Sequence, residues 1–473
     1  MSRARIPKLR LSTLCVAVPA FLGSVHQEAE AQPSGVVRTW LARYNGPYSY
    51  WEELHDLALG EGCLYVAGFS YRDDVTSDFA TVKYDYSGRQ QWVRRYGLGG
   101  VNDSASAQAL AVDSAGNVLV TGRSADYRSD AEFSVDAATL KYDAAGNLLW
   151  EQRYRLPGGN NSQPLDIALD SAGNAYVAGA TWTGTGFDLM LLKYSPGGSL
   201  LWSRTLGKAG DRWDAGYAVA IDTHDNPVVA GYTQPYLFNP VTFGYLVKYS
   251  AAGNLLWERE HESATNGSAW WRVAIDDAGR IYTFGEIAPP GDLNHIWTSQ
   301  YSPNGAILWD QHHDGNASGS NYRGGMALSP EGGVVVCGVS DDIDDGGGVT
   351  NIVTLRYEAD GTEAWRRLER GGYDQAGGRD VAVDEAGNAY VTGWGFNTNE
   401  SMDFVTLKYT PAGQLAWRQV LAGPAGATDW PIRIAVDATQ NVFVAGDVHG
   451  GLATYFDFAT VRYRQIVAAP PHR

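Results

Sequence analysis

The chain is 473 residues long and 44% hydrophobic, enough for several domains or one large β architecture. Its 56 glycines follow no three-residue period, which excludes collagen, and three cysteines are too few for a disulfide scaffold or a cysteine-rich metal site. A formal charge of −17 disfavours nucleic acid and anionic lipid as partners.

Arg3, Arg5, Lys8 and Arg10 open the chain, residues 11–25 are mostly apolar, and Ala29-Glu30-Ala31 follows the small-x-small rule. This pattern predicts a signal peptide over residues 1–31 and a mature chain starting near Gln32. The apolar run is short and contains Pro19, which argues against a membrane anchor and against membrane insertion. Cleavage removes four basic and two acidic side chains, leaving 32 and 51 and a charge of −19. The expected location is extracellular, cell-surface or periplasmic.

Residues 36–44 read VVRTWLARY, a strand pattern standing alone before a repeat. The repeat carries a glycine after two small or apolar residues, at Gly68, Gly122, Gly179, Gly231, Gly285, Gly338, Gly393 and Gly446, 52 to 57 residues apart. Between them a turn leads into Trp92, Trp150, Trp202, Trp257, Trp309, Trp365 and Trp417, with Trp40 in the orphan strand as the eighth. Units of this length stack on their neighbours to bury a core. The third unit shows four short runs, 165–170, 175–179, 187–194 and 199–206, joined by turns rich in Gly, Asn, Ser and Pro. Such a meander is one propeller blade. The last unit has its third strand at 457–463 and then no tryptophan strand, so residues 36–44 are expected to supply it. The predicted fold is all-β, a single eight-bladed β-propeller over 32–467 with four antiparallel strands per blade. The N-terminal outer strand completes the last blade, and 468–473 form a C-terminal tail. Cys63 and Cys337 fall in the first and sixth units, too far apart to pair, and are expected to be buried and free.

Asp113 to Asn117 (DSAGN) with Val120 to Gly122 (VTG), and Asp384 to Asn388 (DEAGN) with Tyr390 to Gly393 (YVTG), resemble the bacterial β-propeller repeat known as SBBP. Residues 282–285 (YTFG) and 335–338 (VVCG) depart most from that pattern. The resemblance implies a propeller among secreted and cell-surface proteins, and brings no catalytic residues with it. A weaker likeness is to the eight-bladed quinoprotein dehydrogenases. Asp143, Gly146 and Trp150 keep part of their docking motif, but its Ala and Thr are missing, as are an adjacent cysteine pair and a haem-attachment motif. The shared residues are read as blade packing rather than a quinone site.

Tyrosine ends the third strand of every unit, and seven of the eight carry Lys or Arg just before it, with Gln300 the exception. These cations are expected to pair between blades with repeated aspartates such as Asp113, Asp170 and Asp222. The longer, more varied connections share one face, where function is usually placed. Trp51, His55, Trp213, Trp270, Trp271, Tyr322 and Trp430 are the candidate ligand-binding residues there. His312 and His313, with Tyr322 and Arg323, are the candidate acid–base group, although adjacent strand residues point opposite ways. Asp341, Asp342, Asp344 and Asp345 on a glycine loop are the candidate Ca²⁺ ligands, so the cofactor expectation is none or Ca²⁺. Asp56, Ala109, Asp166, Ala218, Arg272, Gly325, Asp380 and Arg433 precede the inner apolar runs and are expected to line a central channel.

These features point to a binding protein for an extracellular glycan or protein. The alternatives are a secreted polysaccharide lyase or glycoside hydrolase and a structural surface protein. Whether a reaction is catalysed, and the oligomeric state, stay open.

Overall fold

The computed structural model describes residues 35–100, 103–129, 132–207, 213–234, 241–261, 267–289, 294–315, 324–341, 349–396, 401–423, 426–451 and 455–466. The signal peptide and the C-terminal tail expected from the sequence lie outside these residues.

The fold is all-β and propeller-like. Among the described residues thirty-two strands run from Val36–Tyr44 to Phe456–Gln465, and they pair as eight four-stranded antiparallel meanders, numbered here as units 1 to 8. Val36–Tyr44 lies antiparallel to Phe456–Gln465, pairing Val36 with Gln465 and Tyr44 with Phe458, and so forms the outer strand of unit 8. The sheets do not separate cleanly into eight. Single parallel bridges, Ser77 to Ser104 and Phe187 to Trp213, fuse units 1 and 2, and units 3 and 4, into eight-stranded sheets. The cause is local: the Ser77 and Ser104 hydroxyls bond at 2.9 Å, and Phe187 stacks on Trp213. Among the described residues no sheet closes on itself, and the remaining units are linked by side chains and by single backbone contacts, such as the Trp51–Phe456 and Val135–Asn161 bridges and the Ser268 N–H to Thr242 O bond.

The turns explain the hairpins. In residues 113–117 the Asp113 carboxylate accepts the N–H groups of Ala115 (3.0 Å) and Asn117 (2.9 Å), while Gly116 takes a φ of 77°. This Asx geometry holds the chain in a tight reversal that a side chain at Gly116 would strain. The repeated glycine in the second strand has a different cause. Seven of the eight inner strands carry a bulge opposite it, for example between Leu54 and Asp56 and between Trp270 and Arg272. The bulge presses a carbonyl onto the glycine, so a methyl group would strike Glu53 O at Gly68 and Ala215 O at Gly231.

The core lies between units. One cluster joins Tyr65, Phe79 and Trp92 of unit 1 to Leu110, Val120 and Tyr142 of unit 2; another joins Trp40, Phe443 and Phe458 of unit 8 to Leu54, Leu64 and Val82 of unit 1. Each fully buried large side chain contributes about 1.5–3 kcal/mol. The outer-strand tryptophans add directed bonds. Trp92 Nε1 donates to Ala144 O (3.1 Å), Trp150 to Pro196 O (3.0 Å), Trp202 to Ala251 O (3.2 Å) and Trp257 to Pro303 O (3.1 Å). Trp309 donates to Ala359 O (3.2 Å), Trp365 to Pro411 O (2.9 Å), Trp417 to Gln465 Oε1 (3.0 Å) and Trp40 to Tyr86 O (3.0 Å). Every donor sits one unit before its acceptor, and the last returns from unit 8 to unit 1.

The cation–aspartate expectation is corrected. Lys141 pairs with Asp113 (2.9 Å), Lys193 with Asp170 (3.3 Å) and Lys248 with Asp222 (2.8 Å), each within one unit. The meander brings the end of the third strand beside the first turn, so the carboxylate is reached without crossing to a neighbour. The inter-unit contact of the same ammonium is to a turn carbonyl, Ala251 O for Lys193 at 3.1 Å. Cys63 and Cys337 are buried and free.

Candidate functional site

The inner-strand bulges assemble the site. At the register shifts His55, Gln108, Leu165, Tyr217, Trp271, Arg379 and Ile432 are the residues passed over by pairing. A bulge re-aims its side chain and bends the strand, and it recurs here in seven units at one height. Tyr217, Trp271, Arg272, Gly324, Arg379, Ile432 and Arg433 line a cavity of about 230 Å³. Its walls come from five consecutive units, which places it where the inner strands converge. Tyr217 meets Trp271 edge-on at 4.7 Å and stacks against Tyr232 at 5.5 Å, forming an aromatic wall.

Five charged groups share this centre. Arg433 Nε donates to Asp56 Oδ1 at 2.9 Å. The carboxylates also tie neighbouring units together: Asp56 accepts Leu110 N–H (2.9 Å), Asp166 accepts Val219 N–H (2.8 Å) and Asp380 accepts Ile434 N–H (3.0 Å). Burial pushes the Asp166 carboxyl up to about 6, and burial raises Asp380 as well. Burial works against the Arg433 charge, but Asp56 and Asp380 outweigh it and hold the guanidinium above its usual range. Arg272 goes the other way, lowered by burial and then by the charge of Arg433. It donates to a carbonyl, Trp271 O at 3.1 Å, and among the described residues it forms no ion pair. The centre therefore holds a guanidinium with unused donors beside a second one.

At the rim, His55 Nδ1–H donates to Ala107 O at 2.6 Å and Nε2 faces Glu53 Oε1 at 3.3 Å. That hydrogen bond holds the Glu53 carboxyl below its usual range. Trp430 is partly buried, with the Arg379 guanidinium 6.0 Å from its ring centre. Trp51 and Trp213 are exposed, packed on Phe456 and Phe187.

Trp270 is corrected as a ligand-binding candidate: it is fully buried and stacks on Trp297. The bulge falls at Trp271, so its neighbour turns into the core. His312 and His313 belong to the outer strand Ile307–His313 and are not brought to the cavity. They point opposite ways: His312 Nε2 faces Asp310 Oδ2 at 3.3 Å, while buried His313 bonds Ser340 Oγ at 3.0 Å. Tyr322 and Arg323 lie outside the described residues. Asp341 is buried, and Asp342, Asp344 and Asp345 lie outside the described residues. Among the described residues no group of three or more His, Cys, Asp or Glu side chains could hold a metal ion. No helix among them is long and apolar enough to cross a membrane.

Tyr217 and Arg379 were not singled out by the sequence. Their signal was one of offset, since each directly precedes a residue already aligned to the channel, Ala218 and Asp380. A second cavity, of about 500 Å³, lies between the turns of units 4 and 5, lined by Asp222, Lys248, Trp257 and Asp277 among others. Val228 stands in this unit where Tyr65, Tyr176 and Tyr390 carry rings in others, so the space beside Lys248 is not filled by a ring of that kind.

A β-propeller repeat family model, SBBP, matches residues 91–126. None of the curated proteins compared matches the chain. Solved structures similar to it include a eukaryotic initiation factor, at 9% identity over 90% of this chain and 94% of that one, with a TM-score of 0.45. A polysaccharide lyase described as an ulvan lyase is 11% identical over 88% of this chain and 95% of that one, with a TM-score of 0.44. A protein of unknown function from Dyadobacter fermentans is 11% identical over 91% of this chain and 99% of that one, with a TM-score of 0.41.

Proposed function

We propose that this protein is an exported, single eight-bladed propeller over residues 32–467 that binds a carboxylate-bearing saccharide at the mouth of its central channel. The observation that carries this reading is the cavity in which Arg272, Arg379 and Arg433 stand beside Tyr217 and Trp271. A guanidinium meets a carboxylate through two parallel hydrogen bonds, and a ring face covers the apolar side of a sugar. Arg433 is already held by Asp56, which leaves Arg272 as the principal anion donor. Aspartates among the arginines restrict the positive region to a small volume, as a single uronate requires. The positions of His312 and His313 favour binding over catalysis, because neither reaches this cavity.

Isothermal titration of the mature chain with uronate oligosaccharides and with neutral oligosaccharides of equal length tests the reading. Uronates bind, neutral sugars do not, and Arg272→Gln weakens binding at least about ten-fold, the effect of about 1.4 kcal/mol. Equal binding of both classes, or none of either, rejects it. N-terminal sequencing of exported protein tests cleavage before Gln32.

A further inference from the structure

The outer strands differ between the two halves of the repeat. In units 2 to 5 the two residues before the tryptophan are Leu148-Leu149, Leu200-Leu201, Leu255-Leu256 and Ile307-Leu308. All eight side chains are exposed, between 42% and 53%. The same positions hold Arg38-Thr39, Gln90-Gln91, Glu363-Ala364 and Leu415-Ala416 in the other four units.

The backbone makes both residues of each pair face outward. Tyr142 pairs with Leu148 and Lys141 with Trp150, so Leu149 is an extra residue on an edge strand. The register is the same at Leu201, Leu256 and Leu308. These strands pair on one side only. Charges that blunt such an edge stand further along, at Glu151 and Arg153 or at Glu258 and Glu260, and leave the apolar start uncovered. The pairs are consecutive in space. Gly198, two residues before Leu200, packs on Trp150, and Gly253 and Gly305 pack likewise on Trp202 and Trp257. The eight side chains therefore form one arc.

We propose that this arc is the interface of a two-fold dimer of this chain. Eight half-exposed aliphatic side chains offer roughly 700 Å² of apolar surface, close to the ~800 Å² that each partner contributes to a standard interface. A monomer's largest apolar patch is usually about 300–600 Å². The arc carries no charge or side-chain hydrogen-bonding group, so the surface that matches it is another aliphatic one, and a two-fold axis supplies the same arc from a second copy. Because units 1, 6, 7 and 8 lack a pair of large aliphatic side chains there, with Leu415 of unit 7 standing beside only Ala416, the contact closes at two copies instead of growing into a ring or fibre.

Sedimentation equilibrium of the mature chain between 1 and 100 µM tests the proposal. The protein sediments as a dimer. The double variant Leu201→Glu/Leu256→Glu raises the dissociation constant at least about a hundred-fold while keeping its circular dichroism and melting temperature, because both side chains are exposed. Leu415→Glu, in the other half, remains dimeric. A monomeric wild type at 100 µM overturns the proposal, as does a double variant that still dimerises. Flotation of a monomeric wild type with neutral phosphatidylcholine vesicles would assign the arc to a lipid surface and overturn it too.

Discussion

Gln465 stands in for a backbone turn: its side-chain oxygen accepts the Trp417 indole N–H at 3.0 Å and the Lys408 ammonium at 3.2 Å. In the seven other units the tryptophan bonds a carbonyl of the next unit's third hairpin, but in unit 8 the strand Phe456–Gln465 pairs with Val36–Tyr44, from the opposite end of the chain, and no hairpin joins the two. An amide side chain supplies the acceptor that a hairpin carbonyl gives elsewhere. Gln465→Ala should lower stability by about 1–3 kcal/mol, since a buried indole donor and a lysine lose their partner together. Thermal unfolding measures the loss, and Gln465→Glu, which keeps an acceptor, should recover most of it.

The signature glycine and the turn glycine should respond differently to alanine. At Gly231 the new methyl strikes Ala215 O, a backbone atom fixed by the bulge, and should cost about 2–3 kcal/mol or more. At Gly116 a methyl meets nothing within 4 Å, and the cost is the positive φ of 77° alone, about 1–2 kcal/mol. Urea melts of the two variants should show Gly231→Ala as the weaker protein.

Glu52 predicts a pH dependence at the junction of units 8 and 1. Its side chain is fully buried, accepts the Ser70 hydroxyl at 3.0 Å, and is pushed up to about 7, chiefly by burial. A raised carboxyl binds its proton more tightly when folded. Its contribution to stability is therefore complete below about pH 4.5 and is lost as the pH rises to about 7. The loss is on the order of 3 kcal/mol. Glu52→Gln should match the wild type at pH 4 and exceed it at pH 8. A melting-temperature difference that is constant across this range would contradict the assignment.

Lys193 should be costly to remove. It is buried, pairs with Asp170 at 3.3 Å and reaches Ala251 O of the next unit at 3.1 Å. Lys193→Met leaves the buried Asp170 without its cation and should cost about 3–5 kcal/mol. Lys193→Met/Asp170→Asn should recover part of that, because the stranded charge is gone. A double-mutant cycle in guanidinium chloride isolates the pair from the lost carbonyl contact.

Much of this architecture is local chemistry, and so it is legible in the sequence. The Asp-x-x-Gly-Asn runs encode hairpins because the carboxylate, the positive φ and the amide act within five residues. The alternation of 36–44, with Trp40 at the offset of the other seven tryptophans, placed this segment beside 457–463, because side-chain period and edge completion leave it no other place. The candidate cavity was only half legible. Asp56, Arg272, Asp380 and Arg433 followed from their place before an apolar run, whereas Trp270 and Trp271 could not be told apart. A bulge shifts register by one residue, and one residue on a strand exchanges core for solvent. Only the tertiary structure decided that Trp271 meets the cavity and Trp270 the core. It likewise decided that Lys193 finds Asp170 in its own unit, since folding the third strand back beside the first turn sets that distance and no spacing along the chain expresses it.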